Sequence, residues 1–283
     1  MTEAEKINKN LRELQQAWYN NLDEEFKENN NKENNEYKYS APFCFGVSEN
    51  TIKEKNSDKP LIMYVGEEAR GWWFDEKNQN NIEYIQGYGI AYYEKQLYGE
   101  YNDKVGLDDE DKKRINENKY SKFWKYIKGI IKVKDDDDEN KYSICWNNVD
   151  KFHRIVTKII KDEEKDITKT LTREDEKKLH EISPQNGGKS LLLKEILTVK
   201  PSIVIFTKYV YSVACDLGIE KNKLKDEINK SKEEDVIIDI TKLCNGKEEL
   251  KDTKVLFLKN HPNCRKEGFL SKAITQTRDL LKK

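Results

Sequence analysis

Residues Leu61 to Trp73 read LIMYVGEEARGWW. The first five are apolar and follow Lys59-Pro60, a pattern typical of a short strand that is buried on both faces. Two carboxylates and an arginine come next, between Gly66 and Gly71. Ligands of open α/β sheets bind just past the carboxyl ends of strands, and glycines let the backbone turn there and approach a ligand closely. The segment predicts a buried strand with a ligand-binding exit loop; a solvated acidic turn is the alternative.

Similar apolar runs recur along the chain and alternate with amphipathic helical patterns. The other predicted strands are 142–146, 203–206, 236–240 and 255–258, with 236–240 as an antiparallel edge. The predicted helices are 2–28, 82–98, 123–131, 152–160, 190–199, 209–217 and 269–281, and the charged run 161–178 is expected to be an exposed excursion. This alternation indicates an α/β fold with a parallel sheet. We divide the chain into an N-terminal helix with an irregular lead-in, 1–59, and an α/β domain, 60–283.

Composition excludes several classes of protein. No apolar run approaches the ~20 residues of a membrane helix. The polar N-terminus has no signal-peptide pattern, so we expect a cytoplasmic protein. We also expect a monomer. The five scattered cysteines form no C-x-x-C pair, which argues against disulfides and a metal site and predicts buried free thiols. The 52 basic and 53 acidic residues balance, but residues 254–283 hold eight Lys/Arg against two acids. That local excess permits nucleic-acid binding, although a solvated helix face has the same pattern.

Polar side chains follow three predicted strands at their carboxyl ends: Glu67 and Glu68, Asn147 and Asn148, and His261. A carboxylate can position water and stabilise an oxocarbenium-like sugar. A carboxamide can recognise a base edge through one donor and one acceptor. A histidine can hydrogen-bond the atom on which leaving-group charge develops. Together these groups are the set needed to cleave an N-glycosidic bond.

Four segments, in order, resemble motifs of the uracil-DNA glycosylase superfamily. They are Gly66–Arg70 after the first strand, Asn148–Lys151 after the second, the helix–Lys-Pro–strand–helix segment Leu193–Gly218, and His261–Asn263 after the last strand. The resemblance spans roughly residues 60 to 283. It implies three α/β/α layers around a short, mostly parallel, four-stranded sheet, with no cofactor, since the cysteine pairs of the iron–sulfur branch are absent. Ala69 and Arg70 depart from the family pattern.

The function expected from these residues is hydrolysis of the N-glycosidic bond to a flipped, damaged or modified base in DNA. An inactive nucleic-acid- or protein-binding module and a nucleoside or nucleotide hydrolase are the alternatives. The expected catalytic residues are Glu68 or Glu67 and His261; the expected base-binding residues are Asn148 or Asn147, with Trp72 and Trp73; the expected phosphate-binding residues are Arg70, Lys151, Arg265 and Lys272.

Overall fold

The computed structural model describes residues 1–27, 38–68, 81–99, 109–117, 121–132, 140–152, 154–160, 163–169, 171–182, 190–207, 210–244 and 248–282. The strands are β1 (Lys38–Tyr39), β2 (Leu61–Glu68), β3 (Ser143–Asp150), β4 (Arg154–Ile160), β5 (Glu163–Lys169), β6 (Ile203–Thr207), β7 (Ile237–Asp239) and β8 (Lys254–Leu258). The helices are α1 (Glu3–Asn20), α2 (Glu24–Lys27), α3 (Glu49–Lys55), α4 (Ile82–Tyr98), α5 (Asp109–Glu117), α6 (Lys122–Ile131), α7 (Arg173–Ile182), α8 (Leu191–Val199), α9 (Val210–Leu217), α10 (Lys221–Lys230), α11 (Thr241–Cys244) and α12 (Phe269–Leu281).

The central sheet has the strand order β3-β2-β6-β8-β7. Its first four strands are parallel, and β7 joins β8 antiparallel at the edge, as predicted for this segment. The mixed α/β class with a mostly parallel sheet is therefore confirmed. The described sheet has five strands instead of the expected four, because Ile237 to Asp239 add a short outer strand to the parallel set.

Helices pack on both faces of this sheet. Adjacent residues of a strand point to opposite faces. Trp146 of β3 contacts the ring of Phe123 in α6, with 5.8 Å between centroids, whereas its neighbour Asn147 donates a hydrogen bond to Glu195 of α8. We call these sides the α6 face and the α8 face. The two asparagines considered for base binding therefore point to different faces.

A second sheet, β1-β4-β5, is antiparallel and was not predicted. The helix expected over 152–160 is wrong, because residues 154–160 form β4. Five of the seven β4 residues are β-branched, and such residues favour strands. The expected exposed excursion at 161–178 is also wrong, since β5 and the first part of α7 lie there and Leu171 and Asp175 are buried.

The N-terminal segment packs into the same hydrophobic core as the sheet. Leu11 of α1 and Phe45 of the lead-in are fully buried in that core together with β2 and α8. Thr2 caps α1 and forms a reciprocal capping box with Glu5. This fixes the start of a helix that supplies Gln15 to the interior, as described below.

The five cysteines divide by burial. Cys44, Cys145 and Cys244 are buried free thiols, as expected, but Cys215 is exposed and Cys264 is half-buried. Among the described residues no helix is long and apolar enough to cross a membrane.

Candidate functional site at the carboxyl edge of the central sheet

The carboxyl ends of β2 and β3 run further than predicted. Gly66 pairs with Asn148 and Glu68 pairs with Asp150, so these residues belong to strands instead of exit loops. After β2, the chain forms β3 on one side of β2. It later returns to form β6 on the other side of β2, and β8 then pairs with the far side of β6. The strand order therefore reverses beside β2, and crevices of open α/β sheets form at such points.

Gly66 creates room for the Asn148 side chain. A Cβ built on Gly66 would lie 2.5 Å from Asn148 Oδ1 and 3.5 Å from Trp146 Nε1. Only glycine leaves this space, and its φ is not positive, so the predicted tight turn is not the reason for the residue. Its role is the close approach of a neighbouring polar side chain.

The Asn148 side-chain amide has a single hydrogen-bond partner among the described residues. Its Oδ1 accepts a hydrogen bond of 3.1 Å from Trp146 Nε1, which places the oxygen next to the indole and the Nδ2 group away from it. The residue is 1 % exposed, and Nδ2 has no partner among the described residues. A buried donor without an acceptor costs about 1–3 kcal/mol. A ligand acceptor bonded to this donor would remove that cost.

Both the oxygen and the NH₂ group of the Asn147 side chain are hydrogen-bonded inside the protein. Its Oδ1 accepts from Lys151 Nζ at 2.6 Å and from the Asn148 backbone N–H at 2.8 Å, and its Nδ2 donates to Glu195 Oε2 at 2.9 Å. Gln15 Nε2 donates to the other Glu195 oxygen at 2.9 Å. Of the two asparagines, Asn148 is the one whose buried NH₂ group has no partner among the described residues.

Lys151 was expected to contact phosphate, and its position argues against that role. It is 5 % exposed, and Nζ forms an ion pair of 2.8 Å with the fully buried Glu195. The Lys151 ammonium also lies 5.6 Å from the centre of the Phe43 ring. On the α8 face, the buried Lys151 ammonium holds the Asn147 side chain in place through a hydrogen bond. Asn147 in turn accepts from the backbone N–H of Asn148 and so stabilises the backbone there.

His261 lies on the same face as Asn148. Its ring stacks on Phe123 with 6.1 Å between centroids and 14° between planes. Phe123 contacts Trp146, which bonds Asn148, so one chain of contacts connects the two polar residues. His261 Nδ1 accepts a hydrogen bond of 3.1 Å from the backbone N–H of Asn263. In a neutral ring this places the proton on Nε2, which can then donate.

An aromatic cluster lies under this part of the sheet edge. Among the described residues, the rings that contact Trp146 include those of Phe43, Tyr92, Phe123 and Trp124. Burial raises the pKa of Tyr92 to about 12, with a hydrogen bond to Trp124 opposing the shift. The phenol is therefore neutral at physiological pH, and the cluster is an uncharged, rigid support for Trp146 and Phe123.

The remaining predicted site residues fall into two groups. Arg70, Trp72 and Trp73 lie outside the described residues, and for Glu67 and Glu68 the structure describes the backbone at the end of β2 but not the side chains. Arg265 and Lys272 are exposed, one after β8 and the other on α12. Lys122 of α6 donates to the carbonyl of Cys264 at 3.3 Å and so ties the loop after His261 to α6.

Sequence reasoning missed Glu195, Gln15, Phe123 and Trp146 as parts of this region. Glu195 has a recognisable signal, because it is an acid on the apolar side of α8, four residues from Leu191. No such signal marks Gln15. Among the described residues no group of His, Cys, Asp and Glu side chains could hold a metal ion.

Comparison with models of protein families and with curated proteins finds no match for this chain.

Proposed function

We propose that this protein hydrolyses the N-glycosidic bond of a flipped, damaged or modified base in DNA. The observation that carries the proposal is the buried Nδ2 donor of Asn148 at the carboxyl edge of the sheet, which has no partner among the described residues. Such an atom favours a ligand with a matching acceptor, and base edges offer these. We also propose that the domain has the uracil-DNA glycosylase-like fold, supported by the mostly parallel sheet and by the order of its motifs.

The roles follow from position. Glu68 or Glu67, at the end of β2, would orient water and accept its proton while the oxygen bonds to the sugar carbon. As the sugar–base bond breaks, its electron pair leaves with the base, and His261 Nε2–H would stabilise the developing negative charge. Asn148 would hold the base edge. These groups act on opposite charges of one transition state, so their effect belongs to the chemical step.

Exposed basic residues near the edge support DNA as the partner. Arg265 follows the His261 loop, and Lys272 lies on the exposed side of α12. Arginine and lysine side chains at such positions neutralise phosphates and make binding salt-dependent. Lys151 is not part of this set, since its charge is paired inside the protein.

The test is single-turnover base release from a saturating labelled duplex, with a panel of modified bases. We expect Glu68→Gln and His261→Ala each to slow release by about 10²–10³-fold, as when one preorganised donor is removed from an enzyme. Lys272→Ala should weaken DNA binding and lower the salt slope by about one while saturated release stays unchanged. Glu220→Gln, at the exposed N-cap of α10, is the control for loss of a carboxylate.

Three outcomes would refute the assignment. Release at the wild-type rate by both Glu68→Gln and His261→Ala would mean that the chemistry lies elsewhere. No release from any base of the panel would leave a binding module as the better description. Release from free nucleosides that barely responds to salt would indicate a nucleoside hydrolase.

A further inference from the structure

The Glu195 carboxylate joins the N-terminal helix α1 to the carboxyl end of β3. Its Oε2 accepts from Lys151 Nζ at 2.8 Å and from Asn147 Nδ2 at 2.9 Å. Its Oε1 accepts from Gln15 Nε2 at 2.9 Å. The first two donors belong to β3 and the residue just after it, whereas the third lies on α1. One buried group therefore connects the strand that carries both asparagines to a helix from the other end of the chain.

Gln15 fixes the plane of this carboxylate. The last bond of a glutamate side chain rotates in a broad well, so bonds to one oxygen alone leave the plane able to tilt. Gln15 bonds the second oxygen, and no other donor reaches that oxygen among the described residues. Without Gln15, a buried charged oxygen would lack a hydrogen bond, which is costly, and the carboxylate would tilt to find one.

Gln15 is itself held on a rigid element. Its Nε2 also donates to the carbonyl of Phe45 at 2.9 Å, and the residue is 1 % exposed. Two turns earlier on α1, Asn8 forms two hydrogen bonds of 2.8 Å with the backbone of Val47, one as donor and one as acceptor. Asn8 and Gln15 thus fasten one face of α1 to the lead-in, on either side of the buried Leu11. A positioning group requires this kind of support.

The orientation of Glu195 reaches the candidate site through Asn147. The Asn147 Nδ2 donates to Glu195, so its amide plane follows the carboxylate, and its Oδ1 accepts from the backbone N–H of Asn148 at 2.8 Å. The lead-in adds a second attachment, because the Phe43 N–H donates to the Lys151 carbonyl at 2.5 Å. The N-terminal segment therefore holds the end of β3 through side chains and through the backbone.

We propose that Gln15 is a positioning residue for the candidate site, so that α1 is required for the geometry of the site and not only for stability. The inference rests on the proposed function for the reaction that this geometry serves. A displacement of about 1 Å caused by a distant substitution can cost about 10²-fold in rate. Gln15 acts through two intervening side chains, so we expect an effect of at least about tenfold.

Gln15→Met is the variant that isolates the donor. It removes the amide but keeps an unbranched, adaptable side chain. The Phe45 carbonyl keeps the bond from Gln86 Nε2 at 2.9 Å, so the loss is confined to the Glu195 oxygen. Gln15→Asn, which withdraws the donor by one methylene, is a milder second variant should Gln15→Met not fold. Gln16→Met is the matched control, because Gln16 is exposed and bonds Asn20 of its own helix.

Two readouts are compared in full-length protein. One is single-turnover base release from a saturating duplex with a modified base, and the other is the Asn148 backbone N–H signal in the NMR spectrum of ¹⁵N-labelled protein. Both are recorded where circular dichroism shows each variant to be fully folded, so lower stability alone changes neither. In Gln15→Met we expect release to slow at least about tenfold, the signal to shift, and DNA affinity to stay unchanged, since phosphate contacts dominate it. Gln16→Met should leave all three as in the wild type.

An exchange of the two hydrogen-bonding groups provides the rescue. Gln15→Glu alone sets two buried carboxylates against each other at the present 2.9 Å and should slow release more than Gln15→Met. Adding Glu195→Gln returns one amide and one carboxylate to the network. The new glutamine oxygen accepts from Lys151 and Asn147, while its NH₂ group donates to the new glutamate. The double variant should recover much of the rate, whereas independent effects would multiply the two losses.

A wild-type value of either readout in Gln15→Met would overturn the proposal. Equal changes in Gln16→Met, or losses that multiply in the double variant, would also overturn it. The Asn148 signal does not depend on turnover, so it decides the positioning role even in a protein that releases no base. A shifted signal without any release by the wild type would overturn only the proposed function, and normal release by Gln15→Met would overturn only the positioning role.

Discussion

Glu195→Gln is the substitution whose consequence follows most directly from the buried ion pair. Glu195 is fully buried and accepts three hydrogen bonds, from Lys151 Nζ at 2.8 Å and from Asn147 and Gln15 at 2.9 Å each. A glutamine removes the charge and turns one acceptor into a donor that faces another donor. The Lys151 ammonium then stays buried without its counter-ion, and only neutral oxygens, Asn147 Oδ1 and the new glutamine oxygen, are left among these groups to accept from it.

Breaking a buried pair by removing one partner costs about 3–5 kcal/mol, because the other charge is left uncompensated. With an m-value of about 3 kcal/mol per M urea, this loss lowers the unfolding midpoint by about 1–1.7 M. The measurement is urea denaturation followed by far-ultraviolet circular dichroism at pH 7, with a check that the m-value is unchanged. The free energy of unfolding is compared with that of the wild type.

The chain contains a matched control for burial. Lys223 and Glu220 form an ion pair with the same 2.8 Å separation, but their side chains are 62 % and 71 % exposed. Glu220→Gln should therefore change stability by less than about 0.5 kcal/mol. Replacing both buried partners, as Lys151→Met with Glu195→Leu, should recover much of the loss. If Glu195→Gln is no more destabilising than Glu220→Gln, the network does not support Asn147 as argued.

Two further predictions concern Gly66 and the cysteines. Gly66→Ala places a methyl group 2.5 Å from Asn148 Oδ1, so it should displace the Asn148 side-chain amide. The Trp146 indole N–H resonance should shift, and base binding should weaken at least about tenfold. An unchanged indole resonance would contradict this prediction. Iodoacetamide should label Cys215 in the folded protein and spare Cys44, because burial blocks access and raises the pKa of the Cys44 thiol; mass spectrometry that finds both modified at equal rates would disprove the burial argument.

Much of the central fold could be predicted from periodicity. The helix over 82–98 and the closing helix over 269–281 have the predicted bounds. The predicted ends of β6, β7 and β8 lie within two residues of the observed ends, and β2 begins where predicted but continues three residues further than expected. These segments have strong apolar patterns and clear stop signals, such as Gly218 in the left-handed conformation after α9. Local sequence and tertiary packing favour the same structure there.

The region after Asn148 was harder because two patterns compete. Residues 152–160 contain apolar residues at spacings that suit a helix, but β-branching favours a strand, and a strand needs a partner. One partner, β1, lies more than a hundred residues upstream, and the other, β5, follows immediately downstream. Pairing with a distant two-residue strand leaves no local signal, so helical periodicity led to the wrong prediction.

The choice between Asn147 and Asn148 shows why the sequence could propose a candidate site but could not say which side chains point into it. Both residues lie at the end of one strand, and the period of two guarantees only that they point to opposite faces. Which face meets α8, with its buried Glu195, and which meets Phe123 and His261 depends on the packing of helices far away in sequence. Glu195 carried the missing information, since an acid on the apolar side of a helix requires a buried cation or donors opposite it. Lys151 and Asn147 meet that requirement, and of the two asparagines Asn148 is the one whose buried NH₂ group has no partner among the described residues.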